Sequence, residues 1–268
     1  MPTPFYHLFL AGELLAQPQL PDGIRHFLQR MRSEFLFGST APDVQVVSGQ
    51  PRWETHFFDL PIPNGELPPW EKMLSRQPQL RVTGVPPSQA AFMAGYLCHL
   101  QADWLWVKDI FVPIFGLKSS WATFPKRLYY HNVLRSYLDM QILPQLPAGL
   151  DGWLHQAEPE NWLPFASDNQ LREWRDFLFP QLQPGAKIHT VEVFSSRQGI
   201  SANEYYALLA SEERMTQEVF SHFPLELLER YQQRILAENI QLLSSYLAPS
   251  LHPTITHMQV RTIHGAQP

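Results

Sequence analysis

A histidine and an aspartate that suit metal binding, His99 and Asp103, lie in the apolar stretch Ala91 to Trp104, which contains no proline. On a helix, residues four apart share one face, so both side chains can reach one ion. Burying either group without a partner costs free energy. The spacing therefore indicates a shared metal ion, although a lone histidine such as His99 is more often a core residue bonded to a carbonyl.

Further imidazole and carboxylate side chains occur in the predicted helices and in the loops between them. Histidine and carboxylate ligands without thiolate suit hydrolytic zinc sites, and the single cysteine excludes a zinc site built from thiolates. Each residue also has a structural interpretation, such as a cap for the following segment, core filling or an exposed helix edge. The further candidates are His7, Asp43, His56, Asp109 and His131.

Four sequence features follow one another within residues 5–140. They are the early His7, the loop Gly38-Ser39-Thr40-Ala41-Pro42-Asp43, then His56, and finally Gly95-x-x-x-His99-x-x-x-Asp103. This order resembles the zinc-dependent phospholipase C family, which is related to the P1-type nucleases. The resemblance implies an all-α domain that holds a metal cluster and hydrolyses phosphoester bonds.

The resemblance also implies roles for individual residues. Asp43, His56, His99 and Asp103 match the ligands around one metal, and Asp103 would bridge to a second metal that His7 also binds. Asp43 is expected to act in catalysis, either as a ligand or as a base that positions the attacking water. In that chemistry the metals acidify water and neutralise charge on the phosphoryl group.

The sequence departs from the family pattern at the third metal. The family has a histidine six residues beyond the aspartate and a His-x-x-x-Glu pair on the next long helix, where this chain has Asp109 and His131 to Arg135. Asp109 and His131 stay candidate ligands, but a guanidinium cannot coordinate a metal. We therefore expect one or two zinc ions rather than three. Arg135 would supply positive charge, binding a phosphate oxygen of the substrate or pairing with Asp109 or Asp139.

Helical signals dominate the chain and strand patterns are nearly absent, which predicts an all-α fold. We expect one domain over residues 1–248 and a C-terminal tail over 249–268. Asp22 is a candidate N-cap, and Ser201 with Glu204 forms a candidate capping box. The sequence over 192–199 is consistent with a short strand or a loop. Helices are predicted over 4–16, 22–35, 69–76, 88–115, 121–143, 152–156, 168–179, 201–222 and 225–247.

Net charge and the distribution of apolar residues limit the classes of partner and the location that the protein can have. The net charge of −5 and the lack of a long basic run argue against nucleic acid as a partner. No stretch approaches the roughly 18 apolar residues of a membrane span. The apolar residues 5–16 have no basic residue ahead of them and are interrupted by His7 and Glu13, so we expect a cytoplasmic protein.

Two hypotheses follow. The first is a metal-dependent hydrolase of phosphoester bonds, acting on a small phosphodiester molecule or a phospholipid headgroup. The second is a catalytically inactive helical protein of the same fold that retains at most a structural metal. A shared metal site requires its ligand side chains to converge within about 5 Å of one point. The side chains concerned are those of His7, Asp43, His56, His99 and Asp103.

Overall fold

The computed structural model describes residues 1–251, and side chains are described through residue 248. This part of the chain is helical and has no strand, which confirms the all-α class. No helix in it is long and apolar enough to span a membrane. The tail predicted from residue 249 lies outside the described residues, apart from the end of the last helix.

The α-helices connect through short turns. Two π-helical segments also occur, Val107–Phe115 and Met215–Phe220, as do short 3-10 turns, of which Ala41–Val44 matters for the site. The α-helices are α1 (Pro4–Ala16), α2 (Asp22–Arg30), α3 (Arg32–Gly38), α4 (Gln45–Ser48), α5 (Arg52–His56), α6 (Pro69–Arg76), α7 (Pro87–Trp106), α8 (Phe124–Ile142), α9 (Leu150–Gln156), α10 (Asp168–Leu178), α11 (Thr190–Gln198), α12 (Ala202–Leu209), α13 (Glu212–Arg214) and α14 (Leu225–Leu251).

The predicted helices over 4–16 and 69–76 are confirmed with their bounds. The helix predicted over 22–35 was wrong as one element, because the backbone of Met31 leaves the helical region with φ −105° and ψ 39°. Asp22 is the first helical residue, and Pro21 occupies the N-cap instead.

The C-terminal half differs more from the expectation. The strand or loop predicted over 192–199 is wrong, because Val191 and Phe194, three residues apart, bury the same face of helix α11. The helix predicted over 201–222 is interrupted where the Ser211 hydroxyl caps a new helix by accepting from the Arg214 amide. The Ser201 hydroxyl caps α12 by accepting from the Asn203 amide, and no capping box with Glu204 forms.

Helix α7 is the buried centre of the fold, with every side chain from Ala90 to Trp106 buried. Its backbone touches that of α3 at two glycines. A β-carbon on Gly95 would lie 2.1 Å from the Phe35 carbonyl oxygen, and one on Gly38 would lie 1.9 Å from the Phe92 carbonyl oxygen. Glycine is therefore required at both positions, and the close approach places His99 directly beside the loop that follows α3.

Asp139 on α8 joins two other parts of the chain. Its Oδ1 accepts from the Thr3 hydroxyl just before α1, and its Oδ2 accepts from the Thr190 hydroxyl at the start of α11 at 2.6 Å. Asp139 is fully buried, and burial raises the pKa of its carboxyl group to about 7, although the two hydroxyl donors oppose the shift. A carboxyl group with an ordinary pKa near 4 in the unfolded chain thus holds its proton more strongly when the protein folds.

We expect Asp139→Asn to change the pH dependence of stability. The raised pKa makes the contribution of Asp139 fully present below about pH 4 and progressively lost as the pH rises through about 7. An amide stays neutral, so the free energy of unfolding of the variant should rise relative to that of the unmodified protein between those values, by up to about 4 kcal/mol. Urea unfolding at several pH values measures the difference. The control Asp176→Asn, at a largely exposed carboxylate, should show no such rise, and parallel curves for Asp139→Asn would contradict the assignment.

Candidate metal centre

Five side chains from four segments of the fold meet in the interior. His7 comes from α1, Asp43 from the 3-10 turn after α3, His56 from the end of α5, and His99 and Asp103 from successive turns of α7. We call these residues the His/Asp cluster. All except Asp43 are buried, and the Asp43 side chain is 17% exposed. Asp43 is therefore the member that solvent or a ligand can reach.

The distances within the cluster suit shared coordination. The Nε2 atom of His7 lies 3.3 Å from Asp103 Oδ1, and the Nε2 atoms of His56 and His99 lie 3.5 and 3.8 Å from Asp103 Oδ2. His56 Nε2 also lies 3.5 Å from Asp43 Oδ1. Two groups of three ligand atoms each span no more than 4.8 Å: His7, His99 and Asp103, and Asp43, His56 and His99. The two groups share His99.

Hydrogen bonds behind the cluster orient two of the imidazole rings. His99 Nδ1 donates to the Ser39 carbonyl oxygen at 2.9 Å. The Thr55 hydroxyl donates to the Arg52 carbonyl, so at 2.9 Å it accepts from His56 Nδ1. Both rings then present the Nε2 lone pair to the cluster, as a metal ligand must. These supporting contacts could not be predicted from the sequence.

Two atoms of the cluster have no hydrogen-bond partner. They are His7 Nε2 and Asp103 Oδ1, both buried and 3.3 Å apart without hydrogen-bond geometry. The His7 ring also stacks on the His99 ring, with centroids 3.6 Å apart. Because an unpartnered buried polar atom costs free energy, a cation between His7 and Asp103 would relieve both atoms. The donor set fits a zinc ion.

The charge states at neutral pH are those of metal ligands. Burial lowers the pKa of His99 to about 3, and burial followed by the Arg52 charge lowers the pKa of His56, so both rings are neutral. Burial acts to raise the pKa of both aspartates, but neighbouring groups outweigh it. Polar contacts within the cluster bring the pKa of Asp43 to about 2 and, with the ion pair to Arg52, hold the pKa of Asp103 well below its usual value. Both aspartates are therefore carboxylates.

Arg52 is a member of the site that the sequence did not predict. Its Nη2 atom contacts Asp103 Oδ2 in an ion pair, its side chain is 25% exposed, and its guanidinium lies 4.8 Å from the centroid of the Phe58 ring. One carboxylate oxygen of Asp103 thus faces a cation of the chain itself, while the other faces His7. The signal in the sequence was the four-residue spacing of Arg52 and His56, which places both on one face of α5.

The structure does not bring the other predicted ligands to the cluster. Asp109 forms an ion pair with Arg234 of α14, with Nη1 at 2.9 and 2.7 Å from the two carboxylate oxygens. His131 Nε2 accepts from Trp106 Nε1 at 2.9 Å, inside an aromatic environment. Asp109 and His131 therefore lie apart from the His/Asp cluster, and each side chain has a partner elsewhere in the fold.

Arg135 also differs from its predicted pairing. It forms no ion pair with Asp109, whose partner is Arg234, or with Asp139, whose oxygens accept from two threonine hydroxyls. Instead Arg135 Nη1 donates to the Met1 carbonyl oxygen at 3.0 Å, and Nη2 donates to Asn132 Oδ1. Its guanidinium borders the same pocket as Asp43.

Comparisons with known proteins provide no assignment. A scan against models of protein families gives no match, and neither do searches of curated proteins and of solved structures. The resemblance to the zinc-dependent phospholipase C family therefore depends on the order of residues in the sequence. The function has to be inferred from the chemistry of the His/Asp cluster.

Proposed function

We propose that the chain is a zinc-dependent hydrolase of phosphoester bonds with a helical fold like that of zinc-dependent phospholipase C. One observation carries this proposal. Three imidazoles and two carboxylates lie together in the interior of the fold, and two of their polar atoms have no hydrogen-bond partner. Such a group is costly to bury unless a cation pairs with it. Nitrogen and carboxylate ligands without thiolate favour a hydrolytic zinc centre over a structural zinc–cysteine site.

The distances support one or two ions. Asp43, His56 and His99 would hold one ion, and His7, His99 and Asp103 form a second possible ligand group that shares His99 with the first. A bound zinc ion supplies a Lewis acid and lowers the pKa of a water molecule that it holds towards neutrality. With Arg135 outside the cluster and Asp109 paired to Arg234, the described part of the chain offers a third ion no ligand set like that of the family.

Residues of the chain would have separate roles in orienting the water, holding the ligand rings and admitting the substrate. Asp43, the exposed edge of the cluster, is positioned to orient the attacking water through its carboxylate. The buried hydrogen bonds of His56 and His99 hold their rings in place. The substrate would be a small phosphoester or a phospholipid headgroup that reaches Asp43 from the solvent side.

Hydrolysis of chromogenic phosphoesters tests the proposal. Protein stripped with a chelator should not hydrolyse p-nitrophenyl phosphate or bis-p-nitrophenyl phosphate, and added zinc should restore hydrolysis of at least one. Asp43→Asn should lower the zinc-restored rate by about 100-fold or more, since general acid–base groups contribute that much. Asp59→Asn, at an exposed aspartate outside the cluster, is the matched control. Hydrolysis that is independent of zinc, or absent at every zinc concentration, would refute the proposal.

The ion pair of Arg52 with Asp103 favours a second candidate function. A guanidinium inside the cluster neutralises part of its negative charge without a metal. The chain would then be a catalytically inactive helical protein that retains at most a structural zinc ion. The hydrolysis assay separates the two functions, because this candidate predicts no turnover even when zinc is bound.

A further inference from the structure

A pocket adjoins the His/Asp cluster at Asp43. Asp43 and the half-buried Arg135 lie on its inner side, and the exposed Arg197 lies towards solvent. The rest of the lining is mixed and includes the aromatic rings of Phe177 and Phe194. A ligand in this pocket would lie near Asp43 of the cluster and near the two arginine side chains.

Arg135 in this pocket is a cation without an anionic partner. Its two terminal nitrogens donate to neutral oxygens, its Nε is buried and has no hydrogen-bond partner, and its guanidinium stacks 4.0 Å from the Phe194 centroid. No carboxylate lies within ion-pair distance of it among the described residues. Burial lowers the pKa of Arg135 only to about 10, so it stays charged at neutral pH. A partly buried charge without a counter-charge is costly, and an anionic ligand would compensate it.

A second cation and two helix ends add positive potential. Arg197 is exposed and forms no ion pair or hydrogen bond within residues 1–248. The first residues of α1 and of α11 also line the pocket, and the N-terminal end of a helix carries partial positive charge. Two unpaired guanidinium groups match a dianion better than a monoanion.

We infer that this pocket binds a small phosphate monoester. The dianionic phosphate lies between Arg135 and the edge of the cluster formed by Asp43, and a compact aromatic or aliphatic group packs against Phe177 and Phe194. This substrate class makes the proposed function more specific. Cleavage of the phosphate ester rests on the proposed function, whereas binding of the phosphate ester to the pocket does not. In the reaction a water oxygen bonds to phosphorus and the ester P–O bond breaks. The departing alkoxide takes up the proton that the water loses and leaves as the alcohol, and inorganic phosphate remains.

Calorimetric titration with phenylphosphonate, which cannot be hydrolysed, tests the pocket at a pH well above the second pKa of this ligand, where it is a dianion. Methyl phenylphosphonate, which carries one negative charge, is the comparison ligand, and both are titrated into stripped and zinc-loaded protein. We expect the dianion to bind about 10-fold more tightly than the monoanion. Arg135→Gln should weaken binding of the dianion by about 10- to 100-fold, the range of a charge-assisted hydrogen bond.

Arg197→Gln keeps the test decisive even if Arg135→Gln fails to fold, because Arg197 is exposed. It should weaken phenylphosphonate binding by about 3- to 10-fold, while Arg81→Gln, at an exposed arginine outside the pocket, should leave it unchanged. Equal binding of the two phosphonates, or binding unaffected by Arg197→Gln, would overturn the inference. Arginine-dependent binding without hydrolysis would support the pocket and reject the proposed function.

Discussion

Asp103→Asn is expected to lower the affinity for zinc by more than about 100-fold and to remove zinc-dependent hydrolysis. Asp103 contacts His7, His56 and His99, and it also pairs with Arg52. Loss of a supporting residue behind a metal ligand costs about 10- to 100-fold in affinity, so loss of a shared ligand should cost more. Competition with a chromophoric zinc chelator measures the affinity.

The matched control for this substitution is Asp59→Asn, which removes an exposed carboxylate from the segment after α5. It should leave zinc affinity unchanged. Because Asp103→Asn also leaves Arg52 without its partner, circular dichroism should confirm that the variant keeps its helices. A folded Asp103→Asn variant that binds zinc as tightly as the unmodified protein would show that the cluster is not the metal site.

Gly95→Ala is expected to lower the free energy of unfolding by about 3 kcal/mol or more. The added methyl group would lie 2.1 Å from the Phe35 carbonyl oxygen and 2.6 Å from the Ser39 amide nitrogen, so the backbones of α3 and α7 must separate. Overpacking in a core usually costs about 1–3 kcal/mol, and here the neighbours are backbone atoms that cannot change rotamer. Urea unfolding followed by circular dichroism gives the free energy.

Gly12→Ala provides the comparison. Gly12 lies within α1, and a β-carbon there would meet no atom within 4 Å. Alanine in the middle of a helix should stabilise the protein by about 0.5–1 kcal/mol. Changes of opposite sign in the free energy of unfolding of the two variants would support the close contact of α3 and α7. A Gly95→Ala variant with an unchanged free energy of unfolding would contradict it.

Local signals in the sequence were sufficient for much of the fold. Helices α1 and α6 begin with proline and end where their apolar pattern ends, so both could be predicted with their bounds. Helix α11 could not, because its β-branched residues suggest a strand when read locally. Its helical conformation depends on burial against the rest of the fold, which single-sequence patterns do not contain.

The site was only partly accessible from the sequence. The four-residue spacing of His99 and Asp103 places them on one face, and the order of motifs suggested His7, Asp43 and His56, but no local pattern gives distances between separate helices. The partners of Asp109 and Arg135 were hidden for the same reason. Arg234, which pairs with Asp109, lies 125 residues further along the chain.

The number of zinc ions bound per chain tests the central claim most directly. Protein equilibrated with a zinc buffer and then dialysed, so that weakly held zinc on the histidines beyond residue 251 is removed, should be assayed for metal by mass spectrometry. The His/Asp cluster predicts one or two tightly bound zinc ions per chain. Protein that retains no stoichiometric zinc would contradict a metal centre formed by His7, Asp43, His56, His99 and Asp103.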